Sequence, residues 1–103
     1  MKNPSHKIVK GFIEGDKKAF ADVYNMHYNR VYNFVKDLVK DREEAQDIVA
    51  ETFIKLWKLH ALFNTNENIR AFLYVTAKNA SMDYFRYCQK QREKKQEASY
   101  ILM

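Results

Sequence analysis

The residues of this chain best suited to chemistry lie on two stripes of opposite character. Val75, Asn79, Met82, Asp83, Arg86 and Lys90 recur at three- and four-residue spacing, with Tyr74, Lys78, Ser81 and Phe85 on the neighbouring face. Cations fix phosphates, an asparagine amide offers a paired donor and acceptor to a base edge, and an exposed ring stacks on an unpaired base. Basic residues interleaved with aromatics suit single-stranded or partly melted DNA better than an intact duplex. The same pattern also describes an ordinary solvated helix face. The second stripe is Ala50, Ile54 and Trp57, with Phe53 at its border and Glu43, Asp47 and Glu51 flanking it. Apolar positions rimmed by carboxylates fit a basic, amphipathic partner helix, and tryptophan is enriched among interface hot spots. Trp57 could equally cover the core beneath the loop that follows it.

Catalysis finds little support. Glu43, Asp47 and Glu51 at four-residue spacing resemble half of a carboxylate-bridged metal site, but such sites add Glu-x-x-His pairs, and the sequence contains none. His6, His27 and His60 are scattered, and no nucleophile stands in a pattern with a base. The reading is therefore of a non-enzymatic chain with no catalytic residue, metal or cofactor. The formal charge of +5 points only weakly to an anionic partner. Its distribution says more. Positions 41–51 hold five carboxylates against Arg42, whereas positions 78–95 hold six cations against Asp83 and Glu93. Opposite charge on separate segments points to two different partners.

The stripes need helices to present them. At 103 residues the chain has room for one domain, and 47% hydrophobic residues with 15% aromatics can fill one helical core. Its two glycines and single proline all precede Asp16, so long helices are the default afterwards. A short helix is expected at about 6–14, ended by Gly15 and followed by a helix capped by Asp16. That second helix carries Phe20, Val23, Tyr24, His27, Tyr28, Val31, Tyr32, Val35, Leu38 and Val39, with a bend expected near 25–29. Asp41 and Glu44 form a capping-box pattern that opens a third helix, whose inner stripe is Ala45, Ile48, Val49, Thr52, Phe53 and Leu56. A loop at about 60–68 carries Leu62 and Phe63. A fourth helix runs from about 67 to the region of 94, with Ile69, Phe72, Leu73, Thr76, Ala80, Tyr84 and Tyr87 inside. Phe63 and Tyr74 are the aromatics that fit least well in the core. The fold class is all-α, a bundle of about four helices, with the domain at 1–95 and a tail or linker start at 96–103. No apolar run is long enough to span a membrane, and the N-terminus leads into no hydrophobic signal segment. The lone Cys88 fits helix packing in a reducing cytoplasm.

Several of these segments together resemble a known family. Residues 41–57 (DREEAQDIVAETFIKLW) look like region 2.2 of the extracytoplasmic-function sigma factors of bacteria. Residues 69–79 (IRAFLYVTAKN) and 80–86 (ASMDYFR) resemble regions 2.3 and 2.4, and residues 15–20 and 28–32 also fit. The resemblance runs from about residue 10 to 92. It implies a cytoplasmic domain that binds core RNA polymerase on the clamp helices of the beta-prime subunit. Carried over by position, those contacts fall on Gln46, Asp47, Ala50, Glu51, Phe53, Ile54 and Trp57. It further implies that the fourth helix and the preceding loop open the minus-ten promoter element and capture an extruded base. Asn79, Met82, Asp83 and Arg86 would face partly single-stranded promoter DNA, Lys78 a phosphate, and Phe63, Asn64 and Asn66 would form the pocket loop.

The resemblance also implies an anti-sigma partner that occludes both faces. The chain departs from the family pattern in places. Ala50 stands where glutamine is common, Phe72 where tryptophan is common, and Tyr87 where a basic residue is frequent. Family members normally carry a second, helix-turn-helix domain, so the expectation is a piece of a longer protein. The competing reading is a helical protein-interaction module that uses both stripes for protein and binds no DNA.

Overall fold

The computed structural model describes residues 4–102. It contains four helices: α1 (Pro4–Ile13), α2 (Lys17–Val39), α3 (Arg42–Lys58) and α4 (Asn66–Leu102), with a 3-10 turn at His60–Leu62 before α4. No strand occurs among the described residues, so the expected all-α bundle is the fold.

The helix ends are set by local chemistry. Gly15 takes a left-handed conformation (φ 85°), which is cheap only without a Cβ, and turns the chain out of α1. Asp16 then accepts a hydrogen bond from the Lys18 amide, 2.9 Å away, and caps α2. α2 continues unbroken through 25–29 to Val39. Lys40, also left-handed, donates its amide to the Lys36 carbonyl and closes it. Asp41 accepts from the Glu44 amide at 3.1 Å and starts α3. Thr65 does the same for α4, its Oγ1 accepting from the Asn68 amide at 3.1 Å.

The core is assembled from one stripe of each helix. α2 buries Ala19, Val23, His27, Val31, Val35 and Val39, a strict four-residue row of mostly small, branched side chains. α3 buries the six residues that periodicity assigns to it. α4 buries Ile69, Leu73, Ala77 and Ser81, with Phe72, Thr76, Ala80 and Tyr84 half-buried beside them. Thr52 and Ser81 satisfy their buried hydroxyls by donating to the carbonyls of Ile48 and Ala77 in their own helices.

Aromatic residues close the end of the bundle where α1 meets the α3–α4 connection. Phe12 is fully buried, its ring 6.1–6.2 Å from those of Phe20, Trp57, His60 and Phe63. Burying a phenylalanine completely contributes about 1.5–3 kcal/mol. Through Nδ1, His60 donates to the carbonyl of Ile13, the last residue of α1, at 2.9 Å. That bond satisfies one of the carbonyls a helix end leaves open.

Four expectations need correction. α1 starts at Pro4, two residues early, because proline is well tolerated in a first turn. Phe63 is buried, 9% exposed, because Phe12 and Phe72 form a slot for it; Tyr74 is half-buried, edge-on to Phe34. Tyr87 is 60% exposed and not on the inner stripe, since Cys88, one residue on, faces the α2–α3 turn. Finally, α4 does not end near 94 but continues to Leu102. Nothing between 95 and 102 breaks a helix, so the expected boundary at 95/96 falls inside α4. Residues 1–3 and 103, at the ends of the expected domain and tail, lie outside the described residues.

Two predictions concern this packing. A Cβ on Gly11 would stand 2.9 Å from the Ala19 Cβ, so the bare backbone allows α1 and α2 to approach. Gly11→Ala should lower stability by about 1–3 kcal/mol in urea unfolding through overpacking, despite the ~1 kcal/mol that alanine contributes to helix propensity. An unchanged midpoint would mean that the two helices separate without cost. The second concerns His27, which donates through Nε2 to the Asn66 amide oxygen at 3.0 Å. Burial holds its pKa below the ordinary 6.5; the Asn66 bond opposes the shift, and Arg70 and Arg30 reinforce it. The unfolded chain therefore takes up this proton more readily. Stability is full above pH 6.5 and is lost as pH falls through that value toward the lower folded pKa. Between roughly pH 7 and pH 5, Tm should fall less in His27→Gln than in the parent chain; equal slopes would contradict this assignment.

Candidate functional site

The helix pairing that makes the core turns the outer sides of α3 and α4 to solvent. On α3, Glu43, Gln46, Asp47, Ala50, Glu51 and Ile54 are all exposed, Ile54 by 53%. Negative charge accumulates at this end: burial and then the neighbouring Asp47, Asp41 and Glu51 hold the Glu44 carboxyl above its ordinary pKa. A face with an apolar centre and a carboxylate rim is suited to receive a cationic surface.

Two of the seven α3 residues expected in this contact sit differently. Phe53 is buried, 2% exposed, with its ring 4.7 Å from that of Tyr24. Trp57 is half-buried, its ring tilted against that of Phe20 at 4.9 Å and stacked on that of His60 at 5.0 Å. Both support the exposed strip from beneath. The packing favours Trp57 as the cover over the core that periodicity left open. The tyrosines of α2 continue the aromatic surface beside α3, with Tyr24, Tyr28 and Tyr32 stacked at 5.1 and 5.8 Å. Sequence reading assigned these tyrosines to the α2 core stripe. Their repeated four-residue spacing was the available signal for a ladder on the flank.

On α4, Val75, Lys78, Asn79, Met82, Asp83, Phe85, Arg86 and Lys90 are all exposed. The apolar members are well clear of the core, with Val75 at 59%, Met82 at 43% and Phe85 at 52% exposure. Arg86 donates to Asp83 at 3.2 Å, but both side chains are mostly in water. Such a pair contributes about 0–1 kcal/mol, so a phosphate could take the guanidinium at little cost.

The loop before α4 is divided. Asn64 and Thr65 are exposed, whereas Phe63 points into the aromatic core and Asn66 is held by His27. A cleft of about 470 Å³ separates this loop from α1, with Lys10, Asn64, Thr65 and Asn66 on its walls. Glu14 and Glu67 line it as well, so the cleft offers amide and hydroxyl groups for hydrogen bonds, with one lysine against two carboxylates around them. Of the three expected pocket residues, the structure puts Asn64 and Asn66 on the cleft wall and gives Phe63 to the core. Sequence reading missed the His27–Asn66 bond, because neither residue announces a partner 39 positions away. No group of three or more histidine, cysteine, aspartate or glutamate side chains comes together in metal-binding geometry among the described residues. None of the described helices is long and apolar enough to cross a membrane.

Comparison with known proteins agrees with this arrangement. Residues 23–92, which cover most of α2, all of α3 and most of α4, match the family model "Sigma-70 region 2". The chain is also similar to the ECF RNA polymerase sigma factor SigW of Bacillus subtilis (strain 168), at 30% identity over 80 residues. The matched stretch is 78% of this chain but 43% of that protein, so the chain spans less than half the length of this relative. No solved structure matches. With most of the bundle inside the match, the chain belongs to the Sigma-70 region 2 family.

Proposed function

We propose that this chain is the promoter-opening domain of an extracytoplasmic-function sigma factor, a cytoplasmic, non-enzymatic module for starting transcription. The observation that carries this reading is the separation of the two exposed faces. An acid-rimmed apolar strip lies on α3 and a cation–aromatic strip on α4, joined through one core.

In this reading α3 docks on core RNA polymerase, at the clamp helices of the beta-prime subunit, through Gln46, Asp47, Ala50, Glu51 and Ile54. Phe53 and Trp57 hold that strip in place from below. α4 receives promoter DNA at the minus-ten element, with Lys78 and Arg86 on phosphates and Asn79, Met82 and Asp83 toward the bases. Extruding a base costs a few kcal/mol, which a pocket selective for that base can recover. Asn64 and Asn66 on the loop cleft have the hydrogen-bonding groups for that task, and Phe63 and the His27 bond fix the loop that carries them. An anti-sigma protein would be expected to cover Ile54 together with exposed Val75, Met82 and Phe85, and so to block both the polymerase face and the DNA face. The interleaved cations on α4 favour nucleic acid over the reading in which both faces bind only protein.

Two variants test the division of labour. Asp47→Lys with Ile54→Ala should weaken polymerase binding at least tenfold, equivalent to about 1.4 kcal/mol, with the helical circular dichroism unchanged. Undiminished binding would remove α3 from the interface. Asn79→Ala with Arg86→Ala should leave polymerase binding intact while reducing promoter opening, read by permanganate reactivity of unpaired thymines. Loss of polymerase binding instead would assign α4 to the protein contact.

A further inference from the structure

We infer that the free end of α4 docks on the acid-rimmed face of α3 in a second copy of this chain, forming a reciprocal dimer. This goes beyond the polymerase reading of α3 and does not rest on it. From Gln89 to Leu102, α4 continues as helix with every residue exposed. A helix of this length is marginal by itself in water, and most helical stability in proteins comes from packing one face. The segment also ends in Tyr100, Ile101 and Leu102, which are 84, 82 and 86% exposed.

This end of α4 has a face. Tyr87, Lys90, Gln91, Lys94, Ala98 and Ile101 fall within one sector about 100° wide. Three- and four-residue steps of this kind are the anchor spacing of a helix laid along another surface. Tyr87 and Ile101 are 60% and 82% exposed, with the two lysines between them. Glu97 borders the sector and Glu93 lies outside it. Lys90 and Lys94 stand four residues apart on the same side, a like-charge pair that weakens a lone helix. Neither lysine takes part in the ion pair seen among the described residues, Arg86–Asp83.

The α3 face repeats this pattern with the opposite sign. Glu43, Asp47 and Glu51 are exposed at four-residue spacing beside exposed Ala50 and Ile54. Lys90, Lys94 and Ile101 step by four and then seven residues, and so do Glu43, Asp47 and Ile54. With the helices side by side in that register, each lysine meets a carboxylate and the two exposed isoleucines meet. Both like-charge rows are relieved by the same contact. The partner is a second copy because α4 is unbroken from Asn66 to Leu102, so its end stays exposed and does not lie on its own α3. Each copy brings one acidic face and one basic helix end, and two contacts related by a twofold axis close the pair. Asp47 and Ile54 are covered in the dimer. On the polymerase reading of α3, the dimer is therefore a closed form that polymerase must displace.

The test is sedimentation equilibrium of the chain over a range of concentrations at low salt. A monomer–dimer equilibrium is expected, weakened by added salt because the pairing charges are exposed. Lys90→Glu with Lys94→Glu, and separately Glu43→Lys with Asp47→Lys, should each raise the dimer Kd at least about tenfold. All four side chains are exposed, so the helical circular dichroism should match that of the parent. An equimolar mixture of the two variants should dimerise again with an affinity close to the parent's. In that pair the native carboxylates of one variant meet the native lysines of the other, and the exchanged charges meet each other. A parent chain that stays monomeric, variants that dimerise as the parent does, or a mixture that stays monomeric each overturns the inference. Core polymerase added to the dimer should release one copy. If polymerase instead binds the dimer intact, the polymerase reading of α3 falls and the pairing stands.

Discussion

The aromatic contact at Phe12 is the constraint on which the arrangement depends. Its ring lies where α1, the start of α2, the end of α3 and the loop before α4 converge, and it touches a ring from each of the last three. Four weak ring contacts and one fully buried side chain thereby locate a connection that has little regular structure of its own. His60 adds a directional bond to the end of α1, and His27 holds the first residue of α4. The loop is thus anchored at its start, middle and end, while Asn64 and Thr65 between the anchors stay exposed. A binding loop built this way keeps its polar groups in water without the entropy of a free loop, much of which would be lost on binding.

The same economy governs the charges. Among the described residues no carboxylate, lysine or arginine is buried in the core: its polar members are a histidine whose pKa burial lowers and two hydroxyls bonded to their own helices. Every charge with a proposed role lies on the outside of α3 or α4, where the one ion pair seen among the described residues, Arg86–Asp83, is exposed and weak. This leaves the interior to valines, leucines and aromatics, and the two outer faces free to differ in sign. The excess length of α4 follows from its sequence rather than from packing. From Gln89 to Leu102 every residue is exposed, and at about 1.5 Å per residue this end carries the helix well past the bundle and contributes to the 70 Å length of the described chain.

Much of this was legible in the sequence, for a physical reason that also defines its limits. The inner stripe of α3 could be read in full because large apolar side chains at three-four spacing leave one interpretation. α4 was read less well, since Ala77 and Ser81 are small and weakly apolar, and their burial reflects close helix approach rather than hydrophobicity. Tyr87 was misplaced by the converse error, an aromatic assumed to be inside. Phe63 and Trp57 show the deeper limit. Their burial is decided by Phe12, Phe20 and Phe72, which come from other elements, and no local pattern encodes that meeting. The exposed strips were visible as residue types, but only the fold separates Ile54, which is available, from Phe53 beside it, which is not.

The most direct measurement is binding of a fluorescent minus-ten single strand to this chain in the presence and absence of core RNA polymerase. Two faces on one rigid body predict capture of the strand that depends on polymerase, with the chain, polymerase and DNA in a single complex. Well-folded chain that binds neither polymerase nor strand would contradict the account.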